Sequence, residues 1–145
     1  MKIMFVCHGN ICRSPMAQAI FEKLASQAGL DVVVDSAATS REELGNAVYP
    51  PAQRTLQRHG ITGFTHHARQ FTKTDYLNFD IIKVMDHYNF SNLLRIIGNV
   101  SQNKVSLLLG RDISDPWFTG DFERTYQDLY EGCQKLLTHL LEQHD

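Results

Sequence analysis

Cys7 and Arg13 stand six positions apart near the start of the chain, in Cys7-His8-Gly9-Asn10-Ile11-Cys12-Arg13-Ser14, with Pro15 directly after. A guanidinium fork can hold two oxygens of a tetrahedral oxyanion, a geometry that lysine does not offer. A thiolate placed beneath the same oxyanion can attack its central atom. Gly9 and Asn10 are residue types suited to a tight or left-handed path. Residues 8–12 can therefore curl their backbone N–H groups toward one anion. His8 is expected to contribute its N–H group, alternatively a rim contact, and Ile11 and Cys12 are expected to belong to the same phosphate-binding loop. The stretch lacks the Gly-Lys-Ser/Thr ending of a nucleotide-binding loop. A field that attracts an oxyanion also favours a thiolate over a thiol, and Ser14 can add a hydroxyl hydrogen bond to the sulfur. Attack on phosphorus, through a cysteinyl-phosphate intermediate, is the chemistry this set supports.

Such an attack expels an alkoxide or phenoxide that needs a proton, and water must later be activated. One carboxylic acid on another loop serves both steps. Asp112 and Asp115 of GRDISDPWFTGDF are the candidates. Asp115 is preferred, because Pro116 stiffens its loop and Trp117 can wall a pocket; Asp112 stays open. A hydrophobic plug of Trp117 and Phe118 under the loop is the alternative to the wall.

The elements that must position these groups follow from periodicity. Residues 2–6 read as a β-strand and 14–28 as a helix, with Ser14 at its N-cap and Pro15 at its first position. Strands are expected at 32–37, 79–85 and 105–109. Helices are expected at 52–59, 74–78 and 86–97, the last closed by Gly98 and Asn99. Phe122, Tyr126, Leu129, Tyr130, Cys133, Leu136, Leu137, Leu140 and Leu141 form one stripe of a final helix. The alternation predicts an α/β fold with a four-stranded parallel sheet, helices on both faces and a phosphate-binding loop after the first strand. Ligands bind beyond the carboxyl ends of such strands, where Cys7 would lie.

The 145 residues are expected to form a single domain over 1–145. A net charge of −2 gives no electrostatic case for nucleic acid or an anionic membrane surface. No apolar run approaches the roughly 20 residues of a membrane helix, and the first residues lack a signal-peptide core. A cytoplasmic protein, a monomer or weak homodimer, is expected. Three cysteines do not read as a disulfide framework, and no zinc-ligand spacing accompanies Cys7 and Cys12. His66-His67 is a lone pair, so neither a metal nor another cofactor is expected. Cys133 reads as core, and Arg69 and Asp86 as ion-pairing or capping residues.

The motif from Cys7 to Pro15, with Asp115-Pro116-Trp117 late in the chain, resembles the low-molecular-weight protein tyrosine phosphatases. Asp35 to Ser40, Ala68-Arg69-Gln70, Phe79-Asp80 and Met85-Asp86 fall where that family has similar segments. The resemblance implies hydrolysis of phosphotyrosine in proteins, with Cys7 as nucleophile, Arg13 as phosphate clamp and Asp115 as acid and base. It also implies that Asn10, Ser14 and Ser36 hold the loop by hydrogen bonds. Cys12 matches the second loop cysteine of many members, a redox partner that can form a reversible disulfide with the nucleophile.

Two departures bear on substrate. Many members carry a Trp in the loop after the second strand as a cleft wall; residues 38–45 here hold no aromatic, and Tyr49 is expected to replace it in part. Glu42 and Glu43 in that loop make an acidic rim that disfavours acidic peptides. Trp117-Phe118 stands where eukaryotic members often have two phosphorylatable tyrosines, and the short loops are closer to bacterial members. Among rival functions, arsenate reduction needs two relay cysteines, and residues 79–99 hold none. A protein arginine phosphatase of the same family would carry Thr where Ile11 stands, and an apolar residue there suits a phenyl ring better. A non-catalytic phosphate-binding module would have no use for both Cys7 and Asp115.

Overall fold

The structure, a computed structural model, describes residues 1–98 and 103–143. Four strands, β1 (Lys2–Cys7), β2 (Val33–Ala38), β3 (Ile81–Val84) and β4 (Val105–Leu107), form one parallel sheet in the order β2-β1-β3-β4. Parallel neighbours need crossovers, and helices supply them: α1 (Arg13–Gln27), α2 (Pro50–Arg58), α3 (Lys73–Asn78) and α4 (His87–Ile97). A single turn, α5 (Pro116–Thr119), and the long α6 (Phe122–Gln143) complete the chain.

β1 is central and buried on both faces, and its side chains alternate between two apolar clusters as a strand dictates. Ile3, Phe5 and Cys7 join the cluster beneath α1, α2 and α6, where Met16, Ile20, Leu56, Leu129 and Cys133 also lie. Met4 and Val6 join Ile82, Val84, Leu93 and Ile97 on the opposite face. The expected stripe of α6 faces the first cluster, except that Leu141 is 37% exposed. At Gly132 the approach is so close that a Cβ would stand 2.6 Å from Leu108 Cγ.

Several ends differ from the sequence reading. α1 begins at Arg13 with Cys12 as its N-cap and no side-chain cap. Ser14 is therefore inside the first turn, and its hydroxyl is used elsewhere. α2 starts two residues early because Pro50 and Pro51 fit a first turn, which needs no N–H. The turn at α3 is fixed by a capping box in which Thr72 accepts from Asp75 N–H and Asp75 accepts in return. β4 stops at Leu107. Gly98 closes α4 with φ 71°; Asn99 lies outside the described residues.

Candidate active site

β1 ends at Cys7 and α1 starts at Arg13, so residues 7–13 must turn from strand into helix within a few positions. The turn is taken at Asn10, which has φ 61° and is the one non-glycine residue with positive φ among those described. Asn tolerates this left-handed conformation because its short polar side chain bonds locally. Those bonds define the loop. Arg69 N–H donates to Asn10 Oδ1 at 3.2 Å. A backbone N–H can only donate, so the amide orientation is fixed. Asn10 Nδ2 then donates to Ser14 Oγ at 2.7 Å and Ser36 Oγ at 3.0 Å.

Ser14 Oγ, already accepting from Asn10, lies 3.0 Å from Cys7 Sγ, with its own proton free for the sulfur. Asn10 N–H also donates to Cys7 Sγ at 3.3 Å. Both contacts place a hydrogen-bond donor against the sulfur.

The network runs further than the sequence suggested. His66 Nε2 is 2.8 Å from Asn10 Oδ1, an acceptor, and so carries a proton. Burial holds the His66 imidazole below its ordinary pKa, and Arg69 and His67 add to this against the pull of Asp35. Ser36 Oγ donates to Gln18 Oε1 at 2.7 Å. Gln18 is one helical turn after Ser14 on the same face; that spacing was the signal for it. For His66 no local signal existed, since it reaches Asn10 across 56 positions.

Arg13 is 2% exposed, and its charge is met by two carboxylates and a carbonyl. Its Nη1 donates to Asp86 Oδ2 at 2.7 Å and to Ile113 O at 2.8 Å, and its Nη2 lies 3.5 Å from Asp115 Oδ2. Burial acts to lower the guanidinium pKa; the Cys7 sulfur and the carboxylates of Asp86 and Asp115 outweigh it and hold it above the ordinary value. Arg69 bridges Asp35 and Asp75 at 2.9 and 2.8 Å, the ion-pairing part expected of it.

A cavity of about 280 Å³ opens here, lined by residues 7–13, Glu42, Glu43, Asp115, Trp117 and Phe118. Asp115 caps α5 through Trp117 N–H at 3.1 Å, which turns its other oxygen toward Arg13. Asp112 does not line the cavity; it accepts from His87 N–H at 3.0 Å instead. Tyr49 also misses the cavity, and its ring backs Trp117 at 4.9 Å between centroids. The plug alternative fails, because Trp117 is 52% and Phe118 83% exposed. Cys12, 4% exposed, lines the cavity, and burial pushes its thiol pKa up, with Cys7 and Asp115 adding to the shift. Among the described residues no group of three or more His, Cys, Asp or Glu is placed to hold a metal ion.

The arrangement thus presents a polarised sulfur, a rigid cation and a carboxyl group around one anion-sized hollow. Known proteins resemble the chain in sequence and in fold. The chain is 41% identical to the human low molecular weight phosphotyrosine protein phosphatase, across 94% of this chain and 93% of that one. The low molecular weight protein-tyrosine-phosphatase YfkJ of Bacillus subtilis is 37% identical across 96% and 95%. The YfkJ crystal structure superposes with a TM-score of 0.94, covering 100% of this chain and 97% of that one. The YwlE arginine phosphatase, solved as a cysteine-to-serine mutant with a phosphorylated active-site serine, superposes at 0.88 with 29% identity, over 97% and 95%. Residues 2–145 match the family model for low molecular weight phosphotyrosine protein phosphatases, and the chain belongs to that family.

Proposed function

We propose that the protein is a metal-independent phosphatase of phosphotyrosine in proteins, acting through a phosphorylated Cys7. The observation that carries this is the position of Cys7 Sγ. It sits at the floor of the loop, 3.0 Å from Ser14 Oγ and 3.3 Å from Asn10 N, in one cavity with Arg13 and Asp115. Loop N–H groups and Arg13 bind the phosphate oxygens. The Cys7 thiolate forms the S–P bond as the P–O bond to tyrosine breaks, and the carboxyl of Asp115 gives its proton to the departing phenoxide. Water then attacks phosphorus, Asp115 takes its proton, and phosphate and the thiolate are released. The family match over 2–145 supports one phosphatase domain over 1–145. The unpaired cysteines at 7, 12 and 133 suit the reducing cytoplasm.

Phosphoarginine is the substrate of one structural relative. Ile11, apolar and lining the cavity, favours a phenyl ring over a guanidinium. The test compares phosphate release from phosphotyrosine and phosphoarginine peptides in chelator, with Cys7→Ser as blank. Preference for phosphotyrosine is expected. Preference for phosphoarginine overturns the substrate, and no release from either overturns the enzyme.

A further inference from the structure

We propose that the cavity selects phosphotyrosine flanked by basic residues, with Glu42 and Glu43 as the side chains that read the flanks. The inference rests on the phosphatase reading above and adds the class of peptide.

The charges around the cavity are the first observation. Among the described residues Arg13 is the one Lys or Arg side chain lining it, against the carboxylates of Glu42, Glu43 and Asp115. Arg13 already faces Asp86 at 2.7 Å and Asp115 at 3.5 Å. Arg41 adjoins the two glutamates in sequence but does not line the cavity. A phosphate monoester brings about −1.5 to −2 further charge. The backbone N–H groups and the start of α1 attract it at the floor, whereas the two glutamates at the mouth repel it. A lysine or arginine beside the phosphotyrosine turns that repulsion into attraction.

The carboxylates are also held in place. Glu43 packs over the phosphate loop, where a Cβ on Gly9 would meet its Cγ at 3.3 Å, and its Oε2 accepts from Asn46 Nδ2 at 2.6 Å. Glu42 Oε2 lies 3.0 Å from His8 Nε2. The residue two positions before Glu42 is tied to the same loop, since Ser40 N–H and Oγ both donate to His8 O, at 3.1 and 2.8 Å. Pre-positioned charges lose little entropy when a partner arrives. Trp117 and Phe118 line the cavity as uncharged rings. The glutamates are thus the groups that can discriminate charge at the mouth.

The test uses three phosphotyrosine peptides of equal length, with lysine, glutamine or glutamate on both sides of the phosphotyrosine, and free phosphotyrosine in parallel. At about 0.01 M ionic strength kcat/KM for the lysine peptide should exceed that for the glutamate peptide by about tenfold, shrinking at about 1 M salt. The Glu42→Gln/Glu43→Gln variant should cut the ratio to about twofold at low salt. Because the ratio is taken within each protein, a change in overall activity cancels. A native ratio at or below one, or a ratio the double variant leaves intact, overturns the inference. Affinities of the Cys7→Ser protein for the same peptides give the comparison without turnover. Preferential binding of the lysine peptide with no native hydrolysis of free phosphotyrosine sinks the phosphatase reading and keeps this inference. Hydrolysis without preference does the reverse.

Discussion

Arg13 Nη1 and Asp86 Oδ2 stand 2.7 Å apart in a pair whose side chains are 3% and 15% exposed, and Asp86 takes no part in lining the cavity. The guanidinium proposed to clamp phosphate is therefore aimed by a carboxylate outside the site. Asp86 has a second task, since its Oδ1 accepts from Asn89 N–H at 2.7 Å and caps α4. The Ile113 carbonyl completes the grip on Nη1, leaving Nη2 for Asp115 and the ligand.

Replacing Asp86 with asparagine keeps an acceptor for the cap and removes the charge opposite Arg13. Breaking a buried pair costs about 3 kcal/mol where the other charge is left alone, and about 1–2 kcal/mol here, because Arg13 still faces the Cys7 sulfur and Asp115. Urea unfolding of Asp86→Asn should show a loss of that order. Inorganic phosphate should also bind more weakly, because Arg13 loses its aim. Native stability and phosphate affinity in the variant would make the pair incidental.

Asp115 donates the proton in the proposed mechanism, so its removal should matter most where the leaving group is most basic. For aryl phosphates of rising phenol pKa, Asp115→Asn should lose kcat increasingly, by about 10²–10⁴-fold at the basic end. Asp112→Asn should leave that dependence as it was, since Asp112 is engaged with His87 away from the cavity. The opposite pattern in the two variants would move the acid to Asp112.

The contrast between Asp112 and Asp115 shows how far the sequence reaches. Cys7, Arg13, the loop and the four-stranded parallel sheet are legible because they depend on local spacing and on strand-helix alternation. Which aspartate faces the cavity depends on α5, a turn of four residues too short for any periodicity. Tyr49 reads equally well as a wall or as a support, and only packing against Trp117 decides. Ser14 looks like an N-cap by type, yet the N-cap falls two residues earlier, at Cys12, and that hydroxyl serves Cys7 and Asn10. Gln18 follows Ser14 by one helical turn, whereas His66 reaches Asn10 across 56 positions, which a pattern of neighbours does not encode.

His66 holds Asn10 as a donor while its burial keeps its pKa below the ordinary value. Between the folded pKa and the ordinary value near 6.5, the unfolded chain binds more protons than the native one. This contribution to stability is therefore complete above about pH 6.5 and is lost as the pH falls through that window. His66→Gln, which keeps an N–H donor but does not titrate, should show a flatter fall in melting temperature between about pH 7 and pH 5. Since the other histidines are common to both proteins, the difference reports on His66. Parallel curves would mean that its protonation is not coupled to folding.

Cys12 carries the last prediction. The family resemblance implies that it is the partner of Cys7 under oxidation, and we propose that it acts so here, since both cysteines line one cavity and Cys12 is 4% exposed. Peroxide converts the Cys7 thiolate to a sulfenic acid. The Cys12 thiolate then attacks that sulfur, the S–S bond forms, and hydroxide leaves. Burial pushes the Cys12 thiol pKa up, and the Cys7 and Asp115 charges push the same way. Its thiolate fraction, and hence the rate of closure, should rise steadily as the pH is raised from about 6.5 to about 8.5. Excess peroxide followed by dithiothreitol should accordingly restore more activity at the higher pH. In Cys12→Ser the recoverable share should vanish, because the sulfenic acid proceeds to sulfinic acid. Mass spectrometry separates the outcomes, as loss of two hydrogens in the native chain and gain of two oxygens in the variant. Equal recovery by both proteins would mean that the protection of Cys7 lies elsewhere. Cys133, 0% exposed in α6 and with its thiol likewise pushed up by burial, should stay reduced throughout.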